Sequence, residues 1–365
     1  MTNIPKKLGN VEVNRYIDVA LLVFLLVFPL VAPGFRVELM GRFVCYAIFA
    51  LSLDLLWGYA GLLSLGHAVF FGMGGYMIGL CYQIQNGLPA FMTREKITSL
   101  PWFYLPLKNP IEEAAMGIVL PAIVAMLLGF FMFSSKIKGV FFTIITLALA
   151  QMFTSLIINM QKYTNGFNGL QGIKRFAING HAQIGKIPYY YLIVIIGALA
   201  FVFCLWLTKR RVGKVATSIR ENESRLGFLG YKASNYKILI LTISGALAGL
   251  AGVLYAPATS SITTVDIGIA ASTAAVVWIA VGGRGNLTGA VVGTLLINWA
   301  QSLLSDNFAT FWQLILGAVL LIIIFFIPNG IIGQILNLQR RRKNANQRLD
   351  ADSADGQDAL LEKEA

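Results

Sequence analysis

The amino-acid sequence predicts an all-α fold, a polytopic transmembrane helical bundle with about ten spans. Of its 365 residues, 57% are hydrophobic and only 13% are charged, and the mean hydropathy is +0.70. A soluble domain would carry roughly 25% charged residues. Several apolar runs approach about 20 residues, the length that crosses a hydrocarbon core of about 30 Å. A transmembrane β-barrel would instead show alternating segments of about ten residues.

Ten apolar runs are the candidate spans. The first follows a basic N-terminus, as in a signal peptide, but it continues into Pro33-Gly34 without a small-residue cleavage site, which favours a retained span. The eighth is short, which is typical of a tilted, broken or re-entrant segment. The ten lie near residues 17–32, 38–57, 62–84, 116–133, 139–158, 188–208, 236–256, 267–281, 286–304 and 310–327.

Lysines and arginines predict the orientation of these spans. With the N-terminus in the cytoplasm, 20 of the 29 basic residues fall on the cytoplasmic side, so both termini are expected inside. Topology-setting loops thus account for the net charge of +12, and no nucleic-acid partner is expected. Two halves of five spans would have opposite orientations, which permits a 5+5 inverted repeat.

The spans and their loops are expected to form one transmembrane domain, residues 1–335. Residues 336–365 are expected to be a cytoplasmic tail, in which a basic QRRRK cluster contacts anionic lipid and an acidic stretch is disordered. Two long outer loops, residues 85–115 and 159–187, are either functional elements or passive caps.

The cytoplasmic loop 209–237 interrupts the apolar pattern with eight basic residues and two carboxylates. Ser218 and Glu221 match a capping box, which predicts that a helix begins at Ser218. A short capped helix with an apolar patch suits a docking surface, although a plain solvated connector fits the same residues. Two acid–base pairs have the spacing of ion pairs on a helix: Arg220–Glu223 and Glu221–Arg225.

Glycine interrupts another apolar run between Trp57 and Tyr76. Broken backbone is tolerated in a bilayer only where protein or a water-filled cavity surrounds it, so this segment either lines a pathway or packs tightly. Asp54 and His67 are functional candidates because ionisable groups are costly inside spans. Alternatively, Asp54 reaches the lipid headgroups, and His67 is a neutral hydrogen-bonding residue between packed helices.

Small residues also recur in the second half of the chain, in the small-xxx-small pattern of helix packing. Arg284 lies in a glycine-rich turn, where it either binds a phosphate or carboxylate or anchors the topology. The predicted packing glycines are Gly245, Gly249, Gly285, Gly289 and Gly293.

Several functions are disfavoured by what the sequence lacks. No GxxxxGK[ST] motif occurs, so the chain does not bind ATP through a P-loop of its own. The three cysteines lie inside apolar runs and only two histidines occur, so no metal site is expected. No cofactor and no enzymatic activity are expected either. A pore-like permease for a small uncharged or zwitterionic polar solute remains.

Four stretches then resemble a known family. They are LDLLWGYAGLLSLGHAVFFGMGGY, SIRENESRLGFLGY, VWIAVGGRGNLTGAVVG and FIPNGIIG. In this order they look like the membrane permeases of branched-chain amino-acid-type ABC importers, over about residues 17–335. Asp54 with Trp57, the PWFYLP loop, TNGFNGL and NWAQSLLS are most similar to the urea-type permeases.

The resemblance implies a subunit of the bacterial inner membrane that pairs with a paralogous permease. Two cytoplasmic ATPase subunits would bind the ATP, and an extracytoplasmic solute-binding protein would deliver the substrate. The coupling helix would contact the ATPases through Ala216, Ser218, Ile219, Arg220, Glu221, Asn222, Glu223, Arg225, Leu229 and Gly230. The candidate pathway residues are Asp54, Ser64, His67, Phe71, Thr143, Thr146 and Asn168.

Three functions stay open from the sequence. The first is the permease subunit of an ATP-driven importer of urea or short amides, because a neutral solute needs hydroxyls, amides and backbone groups rather than buried charges. The second keeps the same machinery but moves branched-chain amino acids. The third is a passive channel for small solutes.

Overall fold

The chain folds into a bundle of long helices that follow the apolar runs. Helices suit such runs because each backbone polar group is satisfied within its own segment. The computed structural model describes residues 8–85, 87–101, 109–135, 137, 139–175, 177–178, 182–307, 311, 317–318 and 330–334. The long helices are α1 (Leu8–Val31), α2 (Gly34–Asp54), α3 (Ala68–Gln85), α5 (Pro110–Ser134), α6 (Val140–Asn159), α8 (Lys186–Lys209), α9 (Arg211–Phe228), α10 (Ala233–Thr259), α12 (Ile269–Gly282) and α13 (Leu287–Asn307).

Short elements join these helices. A π-helical turn, Leu55–Tyr59, continues α2, and residues 60–67 then form an irregular segment that leads into α3. Two small antiparallel strand pairs occur: Leu170–Gln171 (β1) pairs with Ser261–Ile262 (β4), and Ala177–Ile178 (β2) pairs with Ala182–Gln183 (β3). The short elements are α4 (Ala90–Arg94), α7 (Gln161–Thr164), a 3-10 turn (Gly166–Asn168), β1 (Leu170–Gln171), β2 (Ala177–Ile178), β3 (Ala182–Gln183), β4 (Ser261–Ile262) and α11 (Thr264–Ile267).

Within the described residues, six helices are long and apolar enough to cross a membrane. Two shorter apolar helices, Tyr16–Val31 and Ile269–Gly282, lie where the first and eighth spans are predicted, and α3 lies at the third. The predicted tenth span, the aromatic loop around Trp102 and the tail 336–365 lie outside the described residues. The total of ten spans, the inverted repeat and the side of each terminus stay predictions. The six helices that are long and apolar enough to cross a membrane are Gly34–Tyr59, Pro110–Ser134, Val140–Asn159, Lys186–Lys209, Ala233–Thr259 and Leu287–Asp306.

The centre of the bundle is formed by α2 and α10. In their most apolar windows, 83% of the α2 segment and 67% of the α10 segment are buried, whereas only 22% of α6 is buried. The main packing partners of α10 are α2, α3 and α5. The exposed faces of α5, α6 and α8 carry large apolar side chains, as lipid contact requires. The buried polar residues Ser52, Asp54 and Ser244 lie on these two helices.

Glycines bring the helices into close contact at the predicted positions, with one exception. Gly249 of α10 lies against the Gly117 carbonyl of α5, and Gly289 of α13 lies against Gly282 of α12. Gly245 and Gly293 make similar approaches to Ala125 and Trp278, respectively. Gly285, however, lies in the turn before α13 with φ +74°, so its predicted place on the α13 helix face is wrong.

Candidate functional site

The irregular segment 60–67 is held in place by two threonines of α6. The hydroxyl of Thr143 donates to the Leu63 carbonyl (2.8 Å), and the Leu65 amide donates to the Thr146 hydroxyl (3.2 Å). These bonds replace helical hydrogen bonds that the break removes, which non-helical backbone inside a membrane requires. Both predicted pathway residues thus support the backbone of the break.

His67 lies at the end of this segment and is fully buried. Its Nε2 lies 2.9 Å from the Ser52 hydroxyl of α2 and 3.2 Å from the Ser244 hydroxyl of α10. Its ring stacks on Phe49 with centroids 5.6 Å apart. These contacts favour a hydrogen-bonding residue that joins packed helices over a group exposed in an open path.

Asp54 is fully buried at the end of α2. Its Oδ1 accepts a hydrogen bond from the Gly285 amide at 2.9 Å. Its Oδ2 has no hydrogen-bond partner among the described residues. Asp54 therefore joins α2 to the turn between α12 and α13, and the alternative that it reaches the headgroups is wrong.

Two arginines bind the last carbonyls of the π-helical turn. Arg220 Nη1 of α9 donates to the Gly58 carbonyl. Arg284 donates from Nε (3.3 Å) and Nη2 (3.1 Å) to the Trp57 carbonyl, and its guanidinium lies 4.8 Å from the centre of the Trp57 ring. The Trp57 carbonyl also accepts from the Ala60 and Gly61 amides. Cations near the carbonyl end of a helix are stabilising.

These contacts bring α9 and the α12–α13 turn to one point beneath the break. Partial desolvation and the neighbouring Arg220 charge lower the pKa of Arg284, and the Asp54 carboxylate opposes this shift. The buried acid is thus flanked by two cations that bind backbone. We name this group the arginine latch: it comprises Asp54, Gly58, Arg220, Arg284 and Gly285.

Helix α9, in the loop that is predicted to be cytoplasmic, differs from the helix that the sequence predicts. It begins at Arg211, and the Ser218 hydroxyl donates to the Lys214 carbonyl (3.0 Å) inside the helix, so the capping box is wrong. The helix is interrupted at Asn222, which has φ −162° and ψ 98°. Asn222 Oδ1 accepts from the Arg225 amide (3.0 Å), which makes Asn222 the N-cap of the second half.

The predicted ion pairs of α9 are replaced by longer-range contacts. Glu223 binds Lys237 at the start of α10, with Nζ and Oε1 2.7 Å apart, and Arg220 binds Gly58 instead of Glu223. The Asn222 break interrupts the i,i+4 spacing of Glu221 and Arg225. Each half of α9 thus makes a polar contact with another part of the helical bundle instead of an ion pair within α9.

The end of α9 presents an apolar surface away from the bundle. Ile219 and Leu226 are buried in a small cluster beside Tyr231 and Tyr236, and Ala216 is buried in the main core. In contrast, 91% of Phe228 and 71% of Leu229 are exposed, and Gly230 follows with φ +79°. Two adjacent large apolar side chains in the open are typical of a contact surface. They are defined here as the α9 tip.

Comparison with known proteins fits this architecture. The family "Branched-chain amino acid transport system / permease component" matches residues 35–324. The chain belongs to this family. With its apolar helices, the permease is a multi-pass protein of the inner membrane. It is a transport subunit of the ABC-importer type rather than an enzyme.

Curated relatives share most of the permease's length. The high-affinity branched-chain amino acid transport system permease protein LivM of Salmonella typhimurium is 23% identical over 347 residues, which cover 89% of this chain and 76% of LivM. A probable LivM of Methanocaldococcus jannaschii is 26% identical, covering 80% and 91%. The ribose import permease protein RbsC of Escherichia coli is 22% identical, covering 60% and 70%. No solved structure matches significantly.

The other predicted pathway residues of the permease do not form one group. Ser64 is fully buried, and its hydroxyl has no partner among the described residues. Phe71 belongs to an aromatic cluster, 5.0 Å from Phe49 and 5.1 Å from Tyr255 between ring centroids. Asn168 is exposed in the 3-10 turn of an outer loop. The break and the outer loop are thus separate regions.

Sequence reasoning missed several polar residues that the permease uses. Ser52 and Ser244 surround His67, but single serines in apolar runs give no signal. Arg220 was expected to face the ATPases, and its bond to a backbone carbonyl has no sequence signature. Asn222 gave a weak signal, because asparagine favours N-caps, but the Ser218 pattern matched better.

Proposed function

We propose that the permease forms the membrane path for urea or a short amide, in an importer driven by separate ATPase subunits that dock on α9. The observation that carries this proposal is the arginine latch. Through Arg220 the cytoplasmic helix is bonded directly to the π-helical turn that precedes the irregular segment 60–67. A displacement of α9 would therefore reach the broken helix without an intermediate element.

The α9 tip supports the docking of a partner. Phe228 and Leu229 lie on the predicted cytoplasmic side, where an unpartnered apolar pair is unfavourable in water. Since the sequence contains no P-loop, the energy for active transport would come from other chains. We therefore propose two ATPase subunits below, a paralogous permease alongside and a solute-binding protein on the outer face.

The polar groups at the break support a neutral hydrogen-bonding substrate. The Ser64 hydroxyl and His67 Nδ1 have no hydrogen-bond partner among the described residues, and the segment 60–67 supplies backbone groups. Urea and short amides carry both a carbonyl acceptor and N–H donors, which such groups can bind without a buried charge.

A second candidate substrate is a branched-chain amino acid. The family description and the names of the LivM relatives favour it. The two candidates share the same subunit architecture and differ only in the solute that is moved.

Uptake by the assembled importer should separate the candidates. We expect ATP-dependent accumulation of radiolabelled urea in proteoliposomes that contain the permease, its paired permease and the ATPases, with the binding protein on the outer side. Accumulation of radiolabelled leucine but not urea would establish the second candidate. Rapid urea flux through liposomes that contain the permease alone would contradict the importer and indicate a passive channel.

Charged residues at the α9 tip should weaken ATPase docking. Burying a large apolar side chain contributes about 1.5–3 kcal/mol, so Phe228→Asp with Leu229→Asp should reduce co-purification of the ATPases at least about 10-fold. Lys214→Ala, an exposed position in the first half of the same helix, is the matched control and should leave co-purification unchanged. Full co-purification with the double variant would exclude the α9 tip as the docking surface.

A further inference from the structure

A polar stripe runs along one face of α2, the most buried span. Glu38, Arg42, Tyr46 and Ser52 lie at positions i, i+4, i+8 and i+14, which share a helix face. The stripe leads from the predicted outer end of α2 to the His67 cluster, whose Ser52 lies near the other end of this helix. Ionisable residues at such positions in a buried span are candidates for a substrate path.

The first acid of the stripe is already neutralised by other cations. Glu38 Oε1 binds Arg175 at 2.5 Å and Lys186 at 3.0 Å. Arg42, one turn further in, makes no ion pair within the described part of the chain, and its buried Nε has no hydrogen-bond partner there. A buried N–H group without a hydrogen-bond partner is costly, so the Nε–H of Arg42 is a donor available to a bound solute.

An acidic counterpart faces Arg42 across a pair of tyrosines. The Tyr46 hydroxyl of α2 donates to the Tyr255 hydroxyl of α10 (2.8 Å), which donates to Asp266 Oδ1 of α11 (3.2 Å). Both Arg42 and Asp266 act electrostatically on these two hydroxyls. A cation, two hydroxyls and a carboxylate thus lie around one point between α2, α10 and α11.

Aromatic rings close this group on its inner side. Tyr46 lies 5.0 Å from Trp278 and Phe71 lies 5.0 Å from Phe49, between ring centroids. Arg42, Tyr46 and Asp266 are only half-buried, whereas Ser52 and His67 below the rings are fully buried. The rings of Phe71 and Phe49 lie in a chain of contacts between Tyr46 and His67. In the predicted orientation, the partly exposed residues of the polar group would face the outer side.

We infer that Arg42, Tyr46, Tyr255 and Asp266 form an outward-facing substrate site. It takes a small solute whose carbonyl or carboxylate oxygen accepts from Arg42 and whose N–H groups donate to Asp266 and to the tyrosine hydroxyls. The inference rests on the proposed function, and it holds for either candidate because urea and amino acids share this chemistry. The Phe49–Phe71 contact separates the bound solute from the interior.

Substituting Arg42 tests the site in the assembled importer. Arg42→Gln should lower initial uptake of radiolabelled urea about 10-fold, or of radiolabelled leucine about 100-fold, because charge-assisted bonds to a carboxylate are the stronger ones. Assembly with the ATPases should not change. The matched control is Arg36→Gln, at an exposed position on the same helix. Normal uptake of the transported probe by Arg42→Gln would overturn the site.

Thiol labelling tests the same site without relying on transport. Tyr46→Cys should react with a membrane-impermeant methanethiosulfonate added from outside, and Ser52→Cys, below the rings, should not. The native cysteines Cys45, Cys81 and Cys204 are buried, so background labelling should be low. If the wild-type importer moved neither urea nor leucine, the proposed substrates would be wrong. The labelling experiment would still decide whether the site is open to the outer side. Unlabelled Tyr46→Cys, or equal labelling of both variants, would overturn it.

Discussion

Replacing Arg220 by alanine should uncouple ATP hydrolysis from uptake in the assembled importer. The substitution removes the bond from α9 to the Gly58 carbonyl, so motion of α9 would no longer reach the irregular segment 60–67. A hydrogen bond from a charged group is worth about 1.5–3 kcal/mol, which predicts a loss of uptake of about 10-fold or more. Uptake and phosphate release measured on the same proteoliposomes give the ratio of solute to ATP.

The controls for this variant separate coupling from docking and folding. Lys214→Ala removes an exposed cation from the same helix and should leave the ratio unchanged. Arg220→Lys keeps the charge but loses the planar guanidinium, so it should restore only part of the uptake. If Arg220→Ala lowered hydrolysis and uptake by the same factor, the residue would act in docking and the latch would not transmit motion.

Apolar patterning predicts the long helices of this chain because lipid leaves few alternatives for an apolar segment. The nine predicted spans that fall within the described residues each coincide with a helix. The break after Tyr59 could also be expected, since Gly58, Gly61 and Gly66 weaken a helix. What holds the break could not be expected, because Thr143 and Thr146 are distant in sequence and bind backbone atoms.

The contacts of the arginine latch could not be predicted from the sequence either. Asp54 and Arg284 are visible in the sequence as charges near span ends, and Arg220 as a charge in the loop 209–237. Their partners are the Gly285 amide and the Gly58 and Trp57 carbonyls, groups that every residue carries. Sequence spacing therefore suggested a local partner for Arg220, namely Glu223. In the structure, Arg220 instead binds a backbone carbonyl of the π-helical turn.

Helix packing in α10 was only partly predictable from the small-xxx-small pattern. Gly245 and Gly249 are four residues apart and were identified, but Gly252 follows after three and was not. A helix face repeats every 3.6 residues, so steps of three and four alternate along it. A search for steps of four alone therefore omits Gly252, although it lies against the backbone of α3.

Replacing Gly252 by alanine should be among the most destabilising single-methyl changes in the permease. A Cβ there would meet the Phe71 carbonyl, with the Phe71 carbonyl carbon 2.8 Å and the Gly75 nitrogen 2.9 Å away. These are backbone atoms of α3, which cannot move as a side chain would. Overpacking typically costs about 1–3 kcal/mol, and we expect the upper end. Thermal unfolding in detergent should show a transition several degrees lower.

A second glycine supplies the matched control. Nothing lies within 4 Å of a Cβ placed on Gly227 of α9, and alanine is favoured over glycine in a helix by roughly 0.5–1 kcal/mol. Gly227→Ala should therefore unfold at the same or a slightly higher temperature. Equal unfolding temperatures for Gly252→Ala and wild type would mean that α3 and α10 are further apart than the structure shows. Since α3 begins at the break and Tyr255 lies one turn beyond Gly252, that separation would also displace the outward-facing site.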